Sequence, residues 1–251
     1  MRIGGIIDIS TKDIPEKSSM VIFTVGCNLK CEFCHNKYLL NLDVGKDMKV
    51  SEIIGQVKSN LLVSGVSITG GEPTLQKDII DLCKEIQKVG KYINIDTNGT
   101  NPALITKLLP YISRVSLDLK GPLKKIKLEK ITRVDINPEL IIDTFHIIND
   151  RDEIDFEIRT TYVEKLMKPE DIHKIITFLK KNKFRGTFVL QQYQYSDGVG
   201  EKYKEIYHMP EHVTLLKIIW KYRKKDLPFD IFIRDNVVGY KNINDIKDFW
   251  E

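Results

Sequence analysis

Short apolar runs alternate along the chain with longer stretches whose apolar residues recur every three or four positions. The first pattern is typical of buried strands and the second of helices with one buried face. The predicted strands are Val21–Val25, Val66–Thr69, Tyr92–Asp96, Val115–Leu119, Phe156–Thr161 and Thr187–Gln191. The predicted helices between them, several of which begin with a proline, are Ser51–Val63, Gln76–Val89, Pro102–Leu109, Pro138–Asn149 and Pro169–Lys181.

This repeated order of strand and helix predicts an α/β fold, in which right-handed crossovers join parallel strands. Six strands are too few for an eightfold barrel, so we predict a partial (β/α)6 TIM-like barrel, with an open flavodoxin-like sheet as the alternative. A short C-terminal appendage is predicted to contain a helix at Glu211–Lys224, a strand at Phe229–Ile233 and a terminal helix at Ile243–Trp250. We expect a single domain over residues 1–251, with a core at about 18–195 and a C-terminal extension at about 207–251.

The composition is that of an ordinary globular protein. The chain has 251 residues, of which 42% are hydrophobic and 29% charged, and this balance excludes intrinsic disorder and a disulfide scaffold. The net charge of +4 is too mild to indicate nucleic acid, and the basic stretch Lys120–Lys130 is interpreted as a solvated loop and helix face. No apolar run approaches the ~18 residues of a membrane span. Charges and a proline near the N-terminus argue against a signal peptide, so we expect a cytoplasmic protein.

Three of the four cysteines lie within eight residues of one another, directly after the first predicted strand. Cys27, Cys31 and Cys34 have a spacing that indicates metal or redox chemistry in a cytosolic protein. Thiolates favour iron–sulfur clusters, zinc or copper(I), and three thiolates on a 4Fe–4S cluster leave one iron open to another molecule. Structural zinc with His35 as a fourth ligand is the alternative. Cys83 shares a helix face with Ile79, Leu82 and Ile86, and it is predicted to be a buried core thiol.

The other unusual residues follow the ends of the later strands. Because the carboxyl ends of parallel strands meet at one rim, we expect these residues to lie together. They are Gly70–Pro73 after the second strand, Asp96–Gly99 after the third, Asp118 and Lys120 at the fourth, Arg159 late in the fifth, and Gln191 and Gln192 at the sixth.

The order and spacing of these motifs resemble the radical S-adenosylmethionine (SAM) enzymes. The loop VGCNLKCEFCHN, with Phe33 directly before its last cysteine, is similar to the cluster signature of that superfamily, and GGEP matches its methionine-binding motif. DTNG and LDLKG resemble the glycyl-radical-enzyme activases. Along roughly the first 195 residues the sequence is similar to activating proteins of anaerobic ribonucleoside-triphosphate reductase.

The resemblance implies two cofactors, a 4Fe–4S cluster and SAM. One electron from the cluster cleaves SAM to a 5′-deoxyadenosyl radical, which abstracts a hydrogen from a glycine of a partner enzyme. Cys83 alone cannot bind a second cluster, so an external flavodoxin or ferredoxin is the expected electron donor. The segment Gln191–Tyr207 is the predicted docking loop for the partner.

The resemblance also implies roles for individual residues. Cys27, Cys31 and Cys34 would bind the cluster. The residues implied to bind the cofactor are Phe33, Gly70, Gly71, Glu72, Pro73, Asp96, Asn98, Asp118, Lys120 and Arg159. Among them, Glu72 would balance the ammonium group of SAM, and both Glu72 and Asp118 are expected at the rim rather than in the core.

Several of these roles have alternatives. Phe33 would pack on the adenine or lie buried beneath the loop. Asp96, Thr97 and Asp118 are implied to hold a monovalent cation, although Asp96 would alternatively cap the turn of its own loop. Arg159 would bind the cofactor or form a structural salt bridge.

Three functions are therefore considered. The first is an activase that installs a glycyl radical on a partner, such as anaerobic ribonucleotide reductase. The second is a radical SAM enzyme for a small molecule, in a reaction like that of 7-carboxy-7-deazaguanine synthase. The third is a zinc-binding module without catalysis.

Overall fold

The computed structural model describes residues 1–195, 199 and 201–247, with only the backbone of Lys202. The strands are β1 (Arg2–Ile14), β2 (Lys17–Thr24), β3 (Lys46–Asp47), β4 (Gly65–Gly70), β5 (Tyr92–Thr97), β6 (Arg114–Asp118), β7 (Asp155–Tyr162), β8 (Thr187–Gln192), β9 (Asp230–Asp235) and β10 (Gly239–Asn242). The helices are α1 (Val50–Ser59), α2 (Ile79–Lys88), α3 (Pro102–Leu108), α4 (Lys125–Thr132), α5 (Pro138–Asn149), α6 (Pro169–Lys181), α7 (Glu201–Ile206) and α8 (His212–Ile219). None of the described helices has the length and apolarity needed to cross a bilayer.

The chain forms two compact units, each built from separate stretches of sequence. Unit 1 comprises Met1–Lys30, Asn36–Leu117 and Glu139–Asp155, and unit 2 comprises Cys31–His35, Asp118–Pro138 and Phe156–Glu251. In unit 1 the strands run in the order β3-β1-β2-β4-β5-β6, and β2, β4, β5 and β6 are parallel. In unit 2 the order is β7-β8-β9-β10, and β7, β8 and β9 are parallel.

The apolar patterns form the elements that they predict. Met20, Val21 and Ile22 are consecutive and buried, so β2 is covered on both faces as a parallel strand requires. In α2 the buried residues recur at the predicted spacing and include Cys83, whose side chain is fully buried, as expected for a core thiol. Helix α6 begins at Pro169, and the Asp171 carboxylate accepts the Lys168 N–H at 3.1 Å, so a proline and an acidic cap fix its start.

The six predicted parallel strands and the helices between them are present, which confirms the predicted α/β class. The predicted strand near residue 230 is β9, and it pairs in parallel with β8 from Thr187↔Asp230 onward. The C-terminal segment therefore extends the parallel sheet of unit 2. Helix α1 ends four residues earlier than predicted, and α8 gives way to a 3-10 turn at Trp220–Tyr222.

Two parts of the sequence interpretation differ from the structure. The terminal helix predicted at Ile243–Trp250 is wrong where it can be compared, because Ile243–Asp245 is a 3-10 turn; residues 248–250 lie outside the described residues. The turn ends because Ile246 is extended, with φ −79° and ψ 124°, and its carbonyl accepts the Arg223 guanidinium at 2.8 Å instead of a helical N–H. Strand β1, antiparallel to β2, was not predicted, because its glycines and charges interrupt the apolar pattern.

Candidate active site

The first cysteine lies in unit 1, just beyond the end of β2. Cys27 is partly exposed, and its sulfur accepts the Leu29 N–H at 3.4 Å. The amide nitrogen of Asn98, in the loop after β5, lies 4.0 Å from the same sulfur. Cys27, Cys31, Cys34 and Cys83 are not joined in disulfides. Hydrogen bonds from N–H groups to a thiolate are a usual means of tuning an iron–sulfur centre, so these two donors fit a ligand role for Cys27.

The second and third cysteines lie in unit 2, on a tight turn in which Cys34 N–H donates to the Cys31 carbonyl at 3.3 Å. Cys31 is buried, and Cys34 is partly exposed. Phe33 between them is buried and packs edge-on against Tyr193, with ring centroids 6.4 Å apart. Burial beneath the loop is therefore observed for Phe33, and its contact with an adenine stays a prediction.

The glycines of GGEP are required by close backbone packing within unit 1. Gly70 has a φ of +107°, and a Cβ on Gly71 would lie 2.0 Å from the Gly26 carbonyl oxygen. Gly71 N–H donates to the Thr24 carbonyl and Glu72 N–H donates to the Gly26 carbonyl, both at 2.8 Å. The GGEP turn is thereby held against the chain that enters the cysteine loop. No other residue type fits at these two positions without moving the backbone.

We expect Gly71→Ala to destabilise the protein by about 2–3 kcal/mol, because its methyl group would overlap a fixed carbonyl. Gly55→Ala is the matched control: a Cβ there meets nothing within 4 Å, and Gly55 lies inside α1. That substitution should stabilise the protein by about 0.5–1 kcal/mol. Urea unfolding followed by circular dichroism measures both, and equal stabilities of the two variants would contradict the steric argument.

Glu72 is a core residue and not the rim residue that the sequence analysis expected. Its side chain is 1% exposed, and its carboxylate accepts four hydrogen bonds from the protein. Thr74 donates its N–H at 3.1 Å and its hydroxyl at 2.6 Å, the Thr97 hydroxyl donates at 2.8 Å, and Asn98 N–H donates at 2.7 Å. Burial raises the pKa of Glu72, and these donors act in the opposite direction. The carboxylate therefore joins the GGEP turn to the DTNG loop.

The DTNG loop is built around the same network. The Asn98 side-chain amide donates its N–H to Asn28 Oδ1 at 2.8 Å, and Asn98 Oδ1 accepts the Thr100 N–H at 3.0 Å. Thr97 Oγ1 also accepts the Gly99 N–H at 3.1 Å, so both roles of this hydroxyl are filled within the protein. Asp96 is partly exposed and accepts the Asn94 amide at 2.9 Å. Asn98 and Thr97 therefore stabilise the turn of this loop. This is the role that was considered for Asp96 as the alternative to cation binding.

Asp118 and Lys120 form an ion pair in unit 2, as their predicted position on one face of the strand allows. Lys120 Nζ donates to the Asp118 carboxylate at 2.7 Å, and both side chains keep some exposure. Burial lowers the pKa of Lys120, but the charges of Asp118 and then of Cys31 and Cys34 outweigh it, and the net shift is upward. A permanently charged ammonium group thus lies within the electrostatic range of two of the cysteines.

Arg159 on β7 is buried and forms a salt bridge with the Glu157 carboxylate. Glu157 also accepts the Tyr240 hydroxyl at 2.8 Å, so this ion pair has the additional hydrogen bond that a buried charge requires. The structural alternative for Arg159 is thereby observed, and its contact with the cofactor stays a prediction. Gln192 is buried and donates to the Pro210 carbonyl at 2.7 Å.

The residues next to the cysteine loop include some that the sequence analysis did not single out. Asn36 donates to the Gly70 carbonyl at 3.2 Å, which fits its predicted role as a brace. His35 has a pKa lowered chiefly by burial. Glu32 and Arg133 were not predicted, and Tyr193 and Tyr207 were predicted only as part of the docking loop Gln191–Tyr207. The placement of Glu32 between two cysteines is the one local signal that could have marked it.

The side chains of the cysteine loop are donors that suit an iron–sulfur cluster. Three cysteines that form no disulfide lie on one short loop, and thiolates are the ligands that iron–sulfur clusters take. Within the ranges that the structure describes, no three Cys, His, Asp or Glu side chains are already gathered around one metal position. The assignment of the three thiols as ligands rests on their chemistry and spacing.

Several known proteins are similar to this chain in sequence or in fold. Residues 21–179 match the radical SAM superfamily. A protein of Methanocaldococcus jannaschii to which glycyl-radical-enzyme activation is ascribed is 36% identical over 222 residues, which are 86% of this chain and 89% of that protein. The pyruvate formate-lyase-activating enzyme of Listeria monocytogenes is 26% identical over 197 residues, which are 71% of this chain and 76% of that enzyme.

A solved structure with the same fold is that of Streptococcus suis SuiB bound to S-adenosylmethionine. It matches 86% of this chain with a TM-score of 0.66 at 22% identity, and this chain spans 50% of the length of SuiB. The likeness confirms the predicted fold class, a partial (β/α)6 TIM-like barrel. The resemblance to radical SAM enzymes and to the glycyl-radical-enzyme activases is likewise confirmed, and the superfamily implies an iron–sulfur cluster and SAM as cofactors. Given the match over most of its length, this chain belongs to the radical SAM superfamily of enzymes.

Proposed function

We propose that this enzyme cleaves SAM reductively and installs a glycyl radical on a partner enzyme, with anaerobic ribonucleotide reductase as the candidate partner. The observation that carries the proposal is the Cys-x3-Cys-x2-Cys loop followed by a GGEP turn that is hydrogen-bonded to the start of that loop. The similarity of most of the chain to activating enzymes of glycyl-radical proteins supports the choice of substrate class. The chain is proposed to act as a single domain in the cytoplasm, reduced by flavodoxin or ferredoxin.

The site residues are proposed to have two kinds of role: some bind the cluster, and others position SAM. Cys27, Cys31 and Cys34 hold the 4Fe–4S cluster, which when bound supplies the electron that breaks a carbon–sulfur bond of SAM. Gly70 and Gly71 let the backbone approach the methionine group closely, and Pro73 keeps their turn stiff. These residues fix where the cofactor lies, and the cofactor carries the difficult chemistry.

Charged and polar side chains are proposed to orient the rest of the cofactor. The Asp118–Lys120 pair presents both signs of charge, which suits a molecule that carries a carboxylate and ribose hydroxyls. Arg159, Asn98 and Phe33 are assigned to the cofactor by resemblance alone. A monovalent cation at Asp96, Thr97 and Asp118 also stays a prediction.

The partner's glycine loop is proposed to dock on the segment Gln191–Tyr207. Residues 196–198 and 200 of this segment lie outside the described residues. In its described part, Tyr195 and Ile206 are large apolar side chains exposed by 44% and 41%, and Met209 just beyond is exposed by 37%. These three side chains are accessible to a docking partner.

The test is anaerobic incubation of the reconstituted enzyme with SAM, a reductant and a candidate glycyl-radical enzyme. Release of 5′-deoxyadenosine should be slow for the isolated protein and fast with the cognate partner, and electron paramagnetic resonance should detect a glycyl radical. A short peptide carrying the partner's glycine should act similarly, and the same peptide with alanine in its place is the control. Rapid, coupled turnover of a purine or pterin without a protein partner would instead support the small-molecule reaction.

A further inference from the structure

Glu32 lies between two cysteines of the loop, and its carboxylate is held by two residues far away in the sequence. Its oxygens accept hydrogen bonds from Arg133 Nε at 3.1 Å and Nη2 at 3.1 Å. The Tyr207 hydroxyl donates to the same carboxylate at 2.5 Å. All three residues belong to unit 2. The guanidinium fork orients the Glu32 carboxylate, but the Arg133 side chain is 45% exposed, so the partly buried bond from Tyr207 contributes more to holding Glu32.

The two anchors are themselves held in place. Arg133 caps α4 in the left-handed conformation, with a φ of +59°, and its N–H donates to the Glu129 carbonyl at 2.9 Å. Tyr207 follows α7, is buried, and its N–H donates to the Tyr203 carbonyl at 2.8 Å. Burial, and next the bond to Glu32, raise the pKa of Tyr207 to about 12, so its hydroxyl keeps its proton in any practical buffer. Glu32 is therefore tied to two fixed points.

The neighbours of Glu32 pack on the same segment. Phe33 packs edge-on against Tyr193, and the His35 ring lies 5.8 Å from the Tyr193 ring. Tyr193 is fully buried and in turn packs against Tyr207, with ring centroids 6.5 Å apart. The loop that carries Cys31 and Cys34 is thus held by polar contacts at residue 32 and by aromatic contacts at residues 33 and 35.

We propose that Glu32, Arg133 and Tyr207 are positioning residues that hold Cys31 and Cys34 where these thiols bind the cluster. We call the three residues the Glu32 clamp. The proposal rests on the proposed function in one respect only, the role of the two cysteines as cluster ligands. The clamp acts before the cluster binds, because its contacts are all made by protein groups. Without it, the loop opens more often and the buried thiol of Cys31 reaches solvent.

Thiol alkylation of the full chain before cluster reconstitution tests the clamp independently of any reaction with SAM. Tyr207→Phe removes one hydroxyl and keeps the ring, and Glu32→Gln removes the charge that both anchors bind. In both variants the iodoacetamide labelling rate of Cys31, which is 6% exposed in the native chain, should rise about tenfold or more, as expected when one hydrogen bond to a charged group is lost. Peptide mass spectrometry assigns the label to each cysteine.

Two controls separate opening of the loop from unfolding. Cys83 is an internal reference, since it is fully buried and burial raises its pKa to about 12, so it should stay unlabelled in every folded variant. Tyr222→Phe is the matched variant, because it also removes a hydroxyl of unit 2 that bonds to a side chain, His173, at 3.2 Å. It should leave the labelling of Cys31 unchanged.

The reconstituted enzyme supplies a second readout. Tyr207→Phe and Arg133→Lys should release iron to a chelator several-fold faster than the native enzyme, and their reduced clusters should have altered paramagnetic resonance spectra. Native labelling of Cys31 in Tyr207→Phe, with Cys83 silent, would overturn the clamp, and this mild variant decides the matter even where Glu32→Gln unfolds. A failure of radical transfer to any partner would overturn the proposed function and leave the labelling result standing.

Discussion

Alanine in place of Cys27, Cys31 or Cys34 is expected to abolish SAM cleavage. Each thiolate would hold one iron, and a cluster with only two protein ligands has no stable attachment to the loop. Iron and sulfide content, together with 5′-deoxyadenosine released under dithionite, measure the effect. Cys83→Ala is the matched control. It also removes a thiol, but Cys83 lies on the buried face of α2, so iron content should stay at the native value.

Metal analysis and turnover also define the results that would contradict this prediction. Stoichiometric zinc without iron, in protein reconstituted under strict anaerobiosis, would support the zinc-binding alternative. Native turnover in any of the three alanine variants would remove that cysteine from the ligand set.

Glu72→Gln is expected to destabilise the protein as well as to weaken SAM binding. The carboxylate accepts four hydrogen bonds in the core, and two of them come from backbone N–H groups that cannot turn away. The amide nitrogen of glutamine would face at least one of these donors, at a cost of about 3 kcal/mol. For a chain of this length, that cost corresponds to a melting temperature lower by about 6–12 °C.

Glu52→Gln provides the comparison for this prediction. Glu52 also accepts a backbone N–H, that of Lys49 at 2.6 Å, but it is exposed at the start of α1. Its replacement should cost only about 0.5 kcal/mol. If Glu72→Gln melts like the native protein and only SAM affinity falls, then Glu72 acts directly on the cofactor, as the sequence alone suggested.

The parts of the fold that could be predicted from the sequence are those with a local signal. Buried strands such as β2 leave a continuous apolar run, amphipathic helices such as α2 leave a periodic pattern, and the cysteine loop is recognisable by its spacing. Strand β1 leaves no such pattern, because glycines and charges interrupt its apolar residues. The prediction of a terminal helix was wrong because the Ile246 carbonyl is bonded by Arg223, 23 positions earlier, and periodicity does not register such a contact.

The partners of individual site residues could not be predicted, because they are distant in sequence. Glu72 binds residues 25 and 26 positions later, and Glu32 binds residues 101 and 175 positions later. The GGEP motif marks Glu72, and nothing in the sequence analysis marks Glu32. Motif and spacing cannot tell whether a cofactor or the protein itself supplies the partners of such a carboxylate. Because the protein itself supplies the hydrogen-bond donors to Glu72, this residue lies in the core and not at the rim.

Neither compact unit is a continuous stretch of chain, and this has consequences for synthesis, truncation and proteolysis of the protein. Unit 1 is complete only when Glu139–Asp155 has been synthesised, and unit 2 includes Cys31–His35 from near the N-terminus as well as the C-terminal residues. No single cleavage of the peptide chain therefore yields an intact unit. A truncated fragment should expose apolar surface and aggregate, and limited proteolysis should yield nicked protein that stays together until it unfolds as a whole.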